Sequence, residues 1–405
     1  MSILANCGIL FVFKYFNFFT TNLSALSGFL HWNYSLPLLQ LALPIGLSFH
    51  TFQSLSYIFE VYKGRQKAER HFGIYALYVM FYPQLVAGPI ERPGQLLPQF
   101  YKKHPFDTIQ VTLGLQRMVI GFFKKTVIAD RLALLVNQVY NNPTAYHGAP
   151  LIIATIAFAW QIYMDFSGYT DIALGAAQVM GFRLIENFNF PYGASSVKNF
   201  WARWHISLSS WFRDYIYIPL GGNRVSWIKH ARNILMSFFL SGLWHGANWT
   251  FILWGVINGA YLVTYFMLEK QLKKVIFPYK KLCGIILTFS FITFSWIFFR
   301  ANSASDSIYI VTHLFDGFGK TIQLLVSFHY TQLIQNIFYE RGGIGITEKV
   351  LLGVTLGIFF VEYVTLRFRE RNLSTILSFI IFLFMTLCIL NFSVGQEIPF
   401  IYFQF

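Results

Sequence analysis

The segment that decides the fold is NILMSFFLSGLWHGANWTFILWGVINGAYLVTYFML, residues 233–268, which contains no Asp, Glu, Lys or Arg. As one helix, its 36 residues would run about 54 Å at 1.5 Å per residue. The hydrocarbon core of a bilayer is only about 30 Å thick. The segment must therefore turn back inside the membrane, and basic linkers on both sides agree with two crossings. The sequence predicts a helical hairpin over 233–268.

The rest of the chain has the same character. Of 405 residues, 55% are hydrophobic and only 12% are charged, whereas a soluble domain carries about 25% charged residues. This composition predicts an all-α, polytopic integral membrane protein with one membrane domain over 1–405. We interpret the N-terminal block as a retained membrane segment rather than a signal peptide. Apolar blocks of spanning length lie at 3–19, 36–62, 72–90, 111–137, 150–181, 233–268, 282–299, 350–366 and 373–391.

The net charge of +14 is explained by membrane topology rather than by nucleic acid. Basic residues concentrate in the linkers 63–71, 183–232, 269–281 and 367–371, which should face the cytoplasm. Linkers 20–35 and 138–149 contain no Lys or Arg and should face outward. An alternative interpretation is that some of these basic residues bind an anionic ligand. The three cysteines are isolated, and no spacing supports a disulfide framework or a metal site.

Block 72–90 conflicts with this topology because both of its flanks look cytoplasmic. It ends in YPQLVAGP, residues 82–89, which breaks a helix readily. A re-entrant segment resolves the conflict. A plain span beside one misassigned loop is the alternative.

His245 is an ionisable residue inside the charge-free hairpin. It lies 13 residues after Arg232, or about 20 Å along a helix, well below the membrane surface. Low dielectric favours a neutral imidazole, which can act as a general base, and Gly242 and Gly246 permit a helix break or close substrate approach. The alternative is a histidine that hydrogen bonds a backbone carbonyl between packed helices, although ionisable residues in membranes are usually functional.

A second histidine lies in an amphipathic segment, predicted as an interfacial or bundle-packed helix over about 198–218. His205 is the titratable member of its apolar face, so it is either functional or an interfacial histidine that packs on tryptophans. The apolar face contains Trp201, Trp204, His205, Leu208, Phe212 and Tyr215, and the polar face contains Asn199, Arg203, Ser207, Ser210 and Asp214.

Two carboxylates, Asp165 and Asp171, interrupt the apolar block 150–181. They are six residues apart and share no helix face, so we expect structural ion pairs or helix capping, with partners among Arg183, Arg203 and Arg213. Lys124 and Lys125 are expected to mark a helix end near the cytoplasmic surface, with snorkelling side chains.

Several motifs together resemble the bacterial membrane-bound O-acyltransferases, especially the alginate O-acetylase branch. The resemblance covers nearly the whole chain, including the terminal FIYFQF at 400–405. The motifs are, in order, AGPIER at 87–92, YMDFSGYTD at 163–171, FWARWHISLS at 200–209, PLGGNR at 219–224 and GLWHGA at 242–247.

The resemblance implies that His245 is the catalytic residue and His205 a second functional histidine. It implies a ring of helices around a thinned centre, where a cytoplasmic donor path meets an outward acceptor path. Members of this branch lie in the bacterial inner membrane and pass acetyl groups to exported polysaccharides such as alginate or peptidoglycan, commonly with a separate periplasmic protein. They also carry hydrophobic segments before the stretch matching KYFNFF at 14–19.

These features lead to a mechanism in which His245 deprotonates an acceptor hydroxyl that attacks acetyl-CoA or an equivalent thioester. No bound cofactor is expected. Further substrate-binding candidates are the possible phosphate contacts Arg203, Arg213 and Arg224, together with Trp244, Asn248 and Asp214. D-alanyl transfer to teichoic acid is a rival within the same chemistry, and a transporter with a proton-relay histidine is a rival from another class.

Overall fold

The computed structural model describes residues 1–32, 37–41, 44, 46–85, 88–339, 347–370, 374–395 and 398–401. These residues form α-helices joined by short turns, with no β-strand among them. Four π-helical segments (Phe11–Tyr15, Phe123–Ala129, Arg213–Tyr217 and Gln335–Tyr339) and three 3-10 turns (Tyr82–Gln84, Pro143–Ala145 and Pro191–Gly193) adjoin them. The α-helices are α1 Ser2–Leu10, α2 Phe16–Phe29, α3 Leu47–Tyr62, α4 Phe72–Met80, α5 Pro93–Phe100, α6 Thr108–Phe122, α7 Asp130–Tyr140, α8 Ala149–Val179, α9 Val197–Trp201, α10 Ile206–Phe212, α11 Trp227–His245, α12 Trp249–Lys274, α13 Lys280–Arg300, α14 Ala304–His313, α15 Phe318–Val326, α16 Tyr330–Ile334, α17 Glu348–Arg369 and α18 Thr375–Phe392.

Within the described residues, six helices are long and apolar enough to cross a membrane. They match the predicted blocks at both ends of the chain, the blocks 150–181, 282–299 and 350–366, and the second half of the block 233–268. The prediction of an all-α polytopic membrane protein is therefore confirmed. The six segments are Ser2–Phe29, Ala149–Val179, Trp249–Lys274, Lys280–Arg300, Glu348–Arg369 and Thr375–Phe392.

Block 72–90 does not form a spanning helix. Its helix α4 has nine residues, about 14 Å at 1.5 Å per residue, and it ends before the 3-10 turn Tyr82–Gln84. The predicted helix break is therefore confirmed and the plain span is wrong, whereas the re-entrant path stays a prediction. Some predicted blocks, linkers and motifs extend outside the described residues, at 33–36, 42–43, 45, 86–87, 371–373 and 402–405.

The predicted hairpin over 233–268 is present as α11 and α12, which turn at residues 246–248. Gly242 and Gly255 let the two helices approach closely. A Cβ at Gly242 would overlap the Phe251 carbonyl oxygen, and one at Gly255 would overlap the Phe238 carbonyl oxygen. Small residues permit the close van der Waals packing that drives helix association in lipid.

Helices α6 and α8 pack through a second set of glycines. A Cβ at Gly114 or Gly121 would overlap the carbonyl oxygens of Gly175 and Gly168, respectively. The two glycines on each helix are seven residues apart, or two turns, so both pairs meet along one seam. This seam brings the charged residues of 117–130 against the carboxylates of α8.

Buried ion pairs join these helices. Lys124 Nζ lies 2.8 Å from Asp171 Oδ2, and Lys125 Nζ lies 2.7 Å from Asp165 Oδ1. Arg117 also contacts Asp171 at 3.0 Å. The prediction of structural ion pairs is confirmed. The predicted arginine partners are wrong, and so is the snorkelling interpretation of Lys124 and Lys125, because the π-helical segment Phe123–Ala129 directs both lysines toward α8.

The predicted continuous helix over 198–218 is interrupted. It consists of α9, a break at 202–205, α10 and the π-helical segment Arg213–Tyr217. The predicted apolar face is nevertheless turned inward, because Trp204, Leu208 and Phe212 are buried. The segment packs against the helix bundle, one of the two placements that its amphipathic pattern predicts.

Candidate active site

A cavity of about 380 Å³ lies between the α9–α10 segment and the α11–α12 hairpin. Both candidate histidines, His205 and His245, line it. Most of its other lining is aromatic or aliphatic, and Arg213 and Tyr217 of the basic linker line it as well. The remaining lining residues are Trp201, Ala202, Trp204, Ile206, Leu208, Ser209, Ser210, Phe212, Ile234, Ser237, Phe238, Ser241, Trp254, Leu262 and Phe266.

His245 is the last residue of α11. The helix ends there because Gly246 is extended, with φ −165° and ψ 150°, and the Asn248 side chain caps α12 by accepting from Thr250 N. Three rings enclose the imidazole, with centroids 4.9 Å (Trp244), 5.0 Å (Trp254) and 5.1 Å (Phe299) away. The hairpin turn therefore fixes the position of the imidazole at the end of α11, and aromatic packing fixes its orientation.

The N-terminal helix holds the end of α11. Lys14 Nζ donates hydrogen bonds to the carbonyl oxygens of Trp244, at 2.7 Å, and His245, at 3.0 Å. Tyr15 Oη donates to the Leu243 carbonyl oxygen at 2.9 Å. Both residues lie in the π-helical segment Phe11–Tyr15. These contacts satisfy carbonyls at a helix C-terminus, where a cation is also favourable.

His205 lies at the break between α9 and α10, in the left-handed region with φ 41° and ψ 56°. Such a conformation costs a non-glycine residue about 1–3 kcal/mol and clusters at functional sites. Asn187 maintains it: its carbonyl oxygen accepts from Ile206 N at 2.9 Å, and its Oδ1 accepts from Ser207 N at 3.2 Å. His205 is 1% exposed, and burial lowers the pKa of its imidazole, which lies outside the spanning helices. It is therefore neutral at pH 7.

A second cavity, of about 360 Å³, lies beside the hairpin turn. Four asparagines and Arg300 give it a polar lining, and Phe251 and Phe299 form its apolar wall. Because the Phe299 ring also contacts His245, one aromatic layer separates this cavity from the imidazole. The asparagines are Asn137, Asn141, Asn248 and Asn302.

The sequence candidates separate into two groups. His205, His245 and Arg213 line the first cavity, whereas Asn248 lines the second. Trp244 lines neither cavity, but its ring contacts both histidines, with centroids 6.5 Å from His205 and 4.9 Å from His245.

The remaining three candidates do not line the first cavity. Arg203 donates to Asn199 Oδ1, and Asp214 pairs with Arg92 at 3.3 Å. Arg224 is exposed in the turn before α11. Of the three arginines predicted to contact phosphates, only Arg213 lines the first cavity.

Sequence reasoning missed Lys14 and Arg300. Lys14 lies inside the apolar block 3–19, and Arg300 directly follows the block 282–299. An ionisable residue in or beside such a block is a functional signal. Their partners, Trp244 for Lys14 and Asn137 for Arg300, are too distant in the chain for local patterns to indicate.

The sequence profile of the MBOAT, membrane-bound O-acyltransferase family, matches residues 69–304. The chain is 36% identical over 337 residues to a peptidoglycan O-acetyltransferase of Helicobacter pylori, covering 77% of this chain and 63% of that protein. It is 42% identical over 274 residues to a probable alginate O-acetylase of Pseudomonas aeruginosa, covering 66% and 50%. A probable alginate O-acetylase of Pseudomonas putida is 34% identical over 421 residues, covering 98% and 82%.

A teichoic acid D-alanyltransferase of Bacillus subtilis is more distant, 29% identical over 274 residues, covering 64% of this chain and 69% of that protein. The chain thus spans half to about two thirds of the length of the first two relatives. The profile match includes both histidines and more than half of the chain. The chain belongs to the membrane-bound O-acyltransferase family.

Proposed function

We propose that this chain is an O-acyltransferase of the bacterial plasma membrane that moves an acetyl group from a cytoplasmic thioester to hydroxyls of an exported polysaccharide. The observation that carries the proposal is that two buried histidines from separate segments, His205 and His245, line one cavity that also contains Arg213 of the basic linker. The names of the relatives, which include acetylases of alginate and of peptidoglycan, support the acetyl group and the polymer.

In the proposed reaction, the neutral His245 imidazole takes the proton of an acceptor hydroxyl. The hydroxyl oxygen attacks the thioester carbonyl carbon, and a C–O bond forms. The C–S bond then breaks, and the leaving thiolate receives the proton from His245. The products are an acetyl ester and a free thiol, so the imidazole returns to its neutral form.

The first cavity suits the donor. Its aromatic and aliphatic walls match the narrow acyl end of a thioester such as acetyl-CoA. Arg213 is 61% exposed and pairs with Asp214 through Nε at 2.8 Å, so its two terminal nitrogens are available to a phosphate. The basic linker should face the cytoplasm, where acyl thioesters are made. Arg203 and Arg224 have no part in this donor proposal.

The second cavity suits the acceptor. It lies beside the hairpin turn, and the linker 138–149, which has no Lys or Arg, adjoins it. Positive-inside bias therefore gives this end an outward orientation. We propose that the polymer hydroxyl, or a periplasmic partner protein that relays the acetyl group, approaches His245 from here.

The test is acetyl transfer by membranes that contain the full chain, supplied with labelled acetyl-CoA, its polymer and its periplasmic fraction. His245→Ala should abolish covalent label on the polymer while protein level and membrane insertion stay normal. The control is His71→Ala, which removes an exposed histidine at the start of α4 and should leave transfer unchanged. Wild-type transfer by His245→Ala would refute the proposal.

D-alanyl transfer is the second candidate, favoured by the relationship to a teichoic acid D-alanyltransferase. The two reactions share the ester-forming step and differ in the acyl group. Mass spectrometry of the ester released from the purified surface polymer separates them: acetate supports the first proposal, and D-alanine supports the second.

A further inference from the structure

Arg300 is an unusual feature of the second cavity. It ends α13, is 8% exposed and lines the cavity. Its side chain forms no ion pair within the described residues. Instead, its guanidinium donates to the amide oxygens of Asn302 at 3.1 Å, Asn137 at 2.9 Å and Asn141 at 3.1 Å. A buried cation without a carboxylate is costly, so this arrangement favours an anion that completes it.

The guanidinium keeps donors for such an anion. It has five N–H groups, and the three hydrogen bonds to asparagines use Nη1 once and Nη2 twice. Nε forms no hydrogen bond to any described residue, and one Nη1 proton also remains. The asparagine oxygens and the Tyr140 ring, 5.6 Å from the guanidinium carbon, hold the group in place. The free Nε–H of a fixed guanidinium can donate a charge-assisted hydrogen bond to a carboxylate or phosphate oxygen.

The other walls suit a sugar. Asn137 and Asn141 accept from Arg300 through Oδ1, and their Nδ2 groups donate to no described residue, so they are available to hydroxyl oxygens. Phe251 and Phe299 present apolar surface to the C–H faces of a ring. Since Phe299 contacts His245, only that ring separates a sugar bound here from the imidazole.

We infer that the second cavity is a subsite for an anionic, hydroxylated acceptor unit, with Arg300 as the residue that selects the anionic group. The consequence of this inference, the choice of acceptor, rests on the proposed function. The binding of the anionic unit does not. Carboxylate and phosphate groups both accept hydrogen bonds from a guanidinium, but they come from different polymers. Acidic sugars carry carboxylates, and polyol phosphates carry phosphates.

Binding to the purified full chain in detergent tests the inference without catalysis. The probes are an oligouronate, the same oligomer with its carboxyl groups reduced to alcohols, and a glycerol phosphate oligomer of similar length. The wild type should bind at least one anionic probe about ten- to hundredfold more tightly than the neutral one, the range expected for hydrogen bonds to a charged group. Which anionic probe binds more tightly identifies the source of the anion.

Arg300→Gln should bring the affinities for charged and neutral probes within about twofold of each other, because charge selection is lost. The ratio is measured within one variant, so a smaller folded fraction does not alter it. Arg300→Lys keeps the charge without the planar group that the asparagines hold in place, and should retain part of the preference. Arg131→Gln is the matched control: it removes an arginine from α7 that donates to the Phe392 carbonyl oxygen, outside the cavity, and should keep the full ratio.

Equal affinity of the wild type for charged and neutral probes, or an unchanged ratio in Arg300→Gln, would overturn the inference. Failure of the proposed function looks different. In that case the wild type would transfer no acyl group to any probe in the presence of donor and periplasmic fraction, while the binding ratio and its loss in Arg300→Gln would remain.

Discussion

Replacing Lys14 tests whether the N-terminal helix positions the catalytic imidazole. Lys14→Met keeps most of the length of the side chain and removes the hydrogen bonds to the Trp244 and His245 carbonyl oxygens. Hydrogen bonds from a charged donor are worth about 1.5–3 kcal/mol each, and the desolvation of the ammonium group offsets part of their sum. A net loss of about 1.5–3 kcal/mol in the positioning of His245 lowers kcat about 10- to 150-fold.

The assay is the initial rate of acetyl transfer by purified, folded protein at saturating donor, so that kcat and KM are separated. Lys14→Arg retains a cation and should recover most of kcat. Tyr15→Phe removes one neutral hydrogen bond, to Leu243, and should lower kcat by about tenfold or less. A wild-type kcat for Lys14→Met, or a loss confined to KM, would refute the positioning role.

Three further substitutions test the site and its support. His205→Asn removes the imidazole and introduces a residue that tolerates positive φ. Acetyl transfer should fall about a hundredfold or more with an unchanged melting temperature, and a near-normal rate would exclude His205 from the mechanism. Gly242→Val adds atoms where the Phe251 carbonyl leaves no room; thermal unfolding in detergent should show a loss of about 1–3 kcal/mol, and wild-type stability would contradict the close hairpin packing. Phe299→Ala removes part of the aromatic layer between the two cavities. The rate of thioester hydrolysis without acceptor should rise relative to the rate of acetyl transfer. An unchanged ratio of the two rates would mean that this ring does not separate the donor from water.

Much of the fold could be predicted from local sequence. The bilayer has a known thickness and excludes charge, so the length of an apolar block and the position of its flanking cations determine where a helix can cross. These two constraints were sufficient for the hairpin over 233–268. They were insufficient for 198–218, where helical periodicity continues through a break, because Asn187 holds Ile206 and Ser207 from another part of the chain.

The partners of buried charges also depended on tertiary structure. Asp171 could pair with any cation brought near it, and sequence reasoning chose arginines of the basic linker. The glycine seam between α6 and α8 brings Lys124 to it instead, since only close helix approach allows that contact.

The sequence by itself determined that this protein crosses a membrane, that its charge-free hairpin contains His245 and, through its motifs, that it resembles the membrane-bound O-acyltransferases. Only the tertiary structure decided that His205 and His245 share a cavity, that Lys14 holds the end of α11 and that Arg300 lines a second cavity on the other side of Phe299. The physical reason is the distance along the chain between interacting residues. The bilayer constrains each segment separately, whereas packing at this site joins residues as much as 231 positions apart.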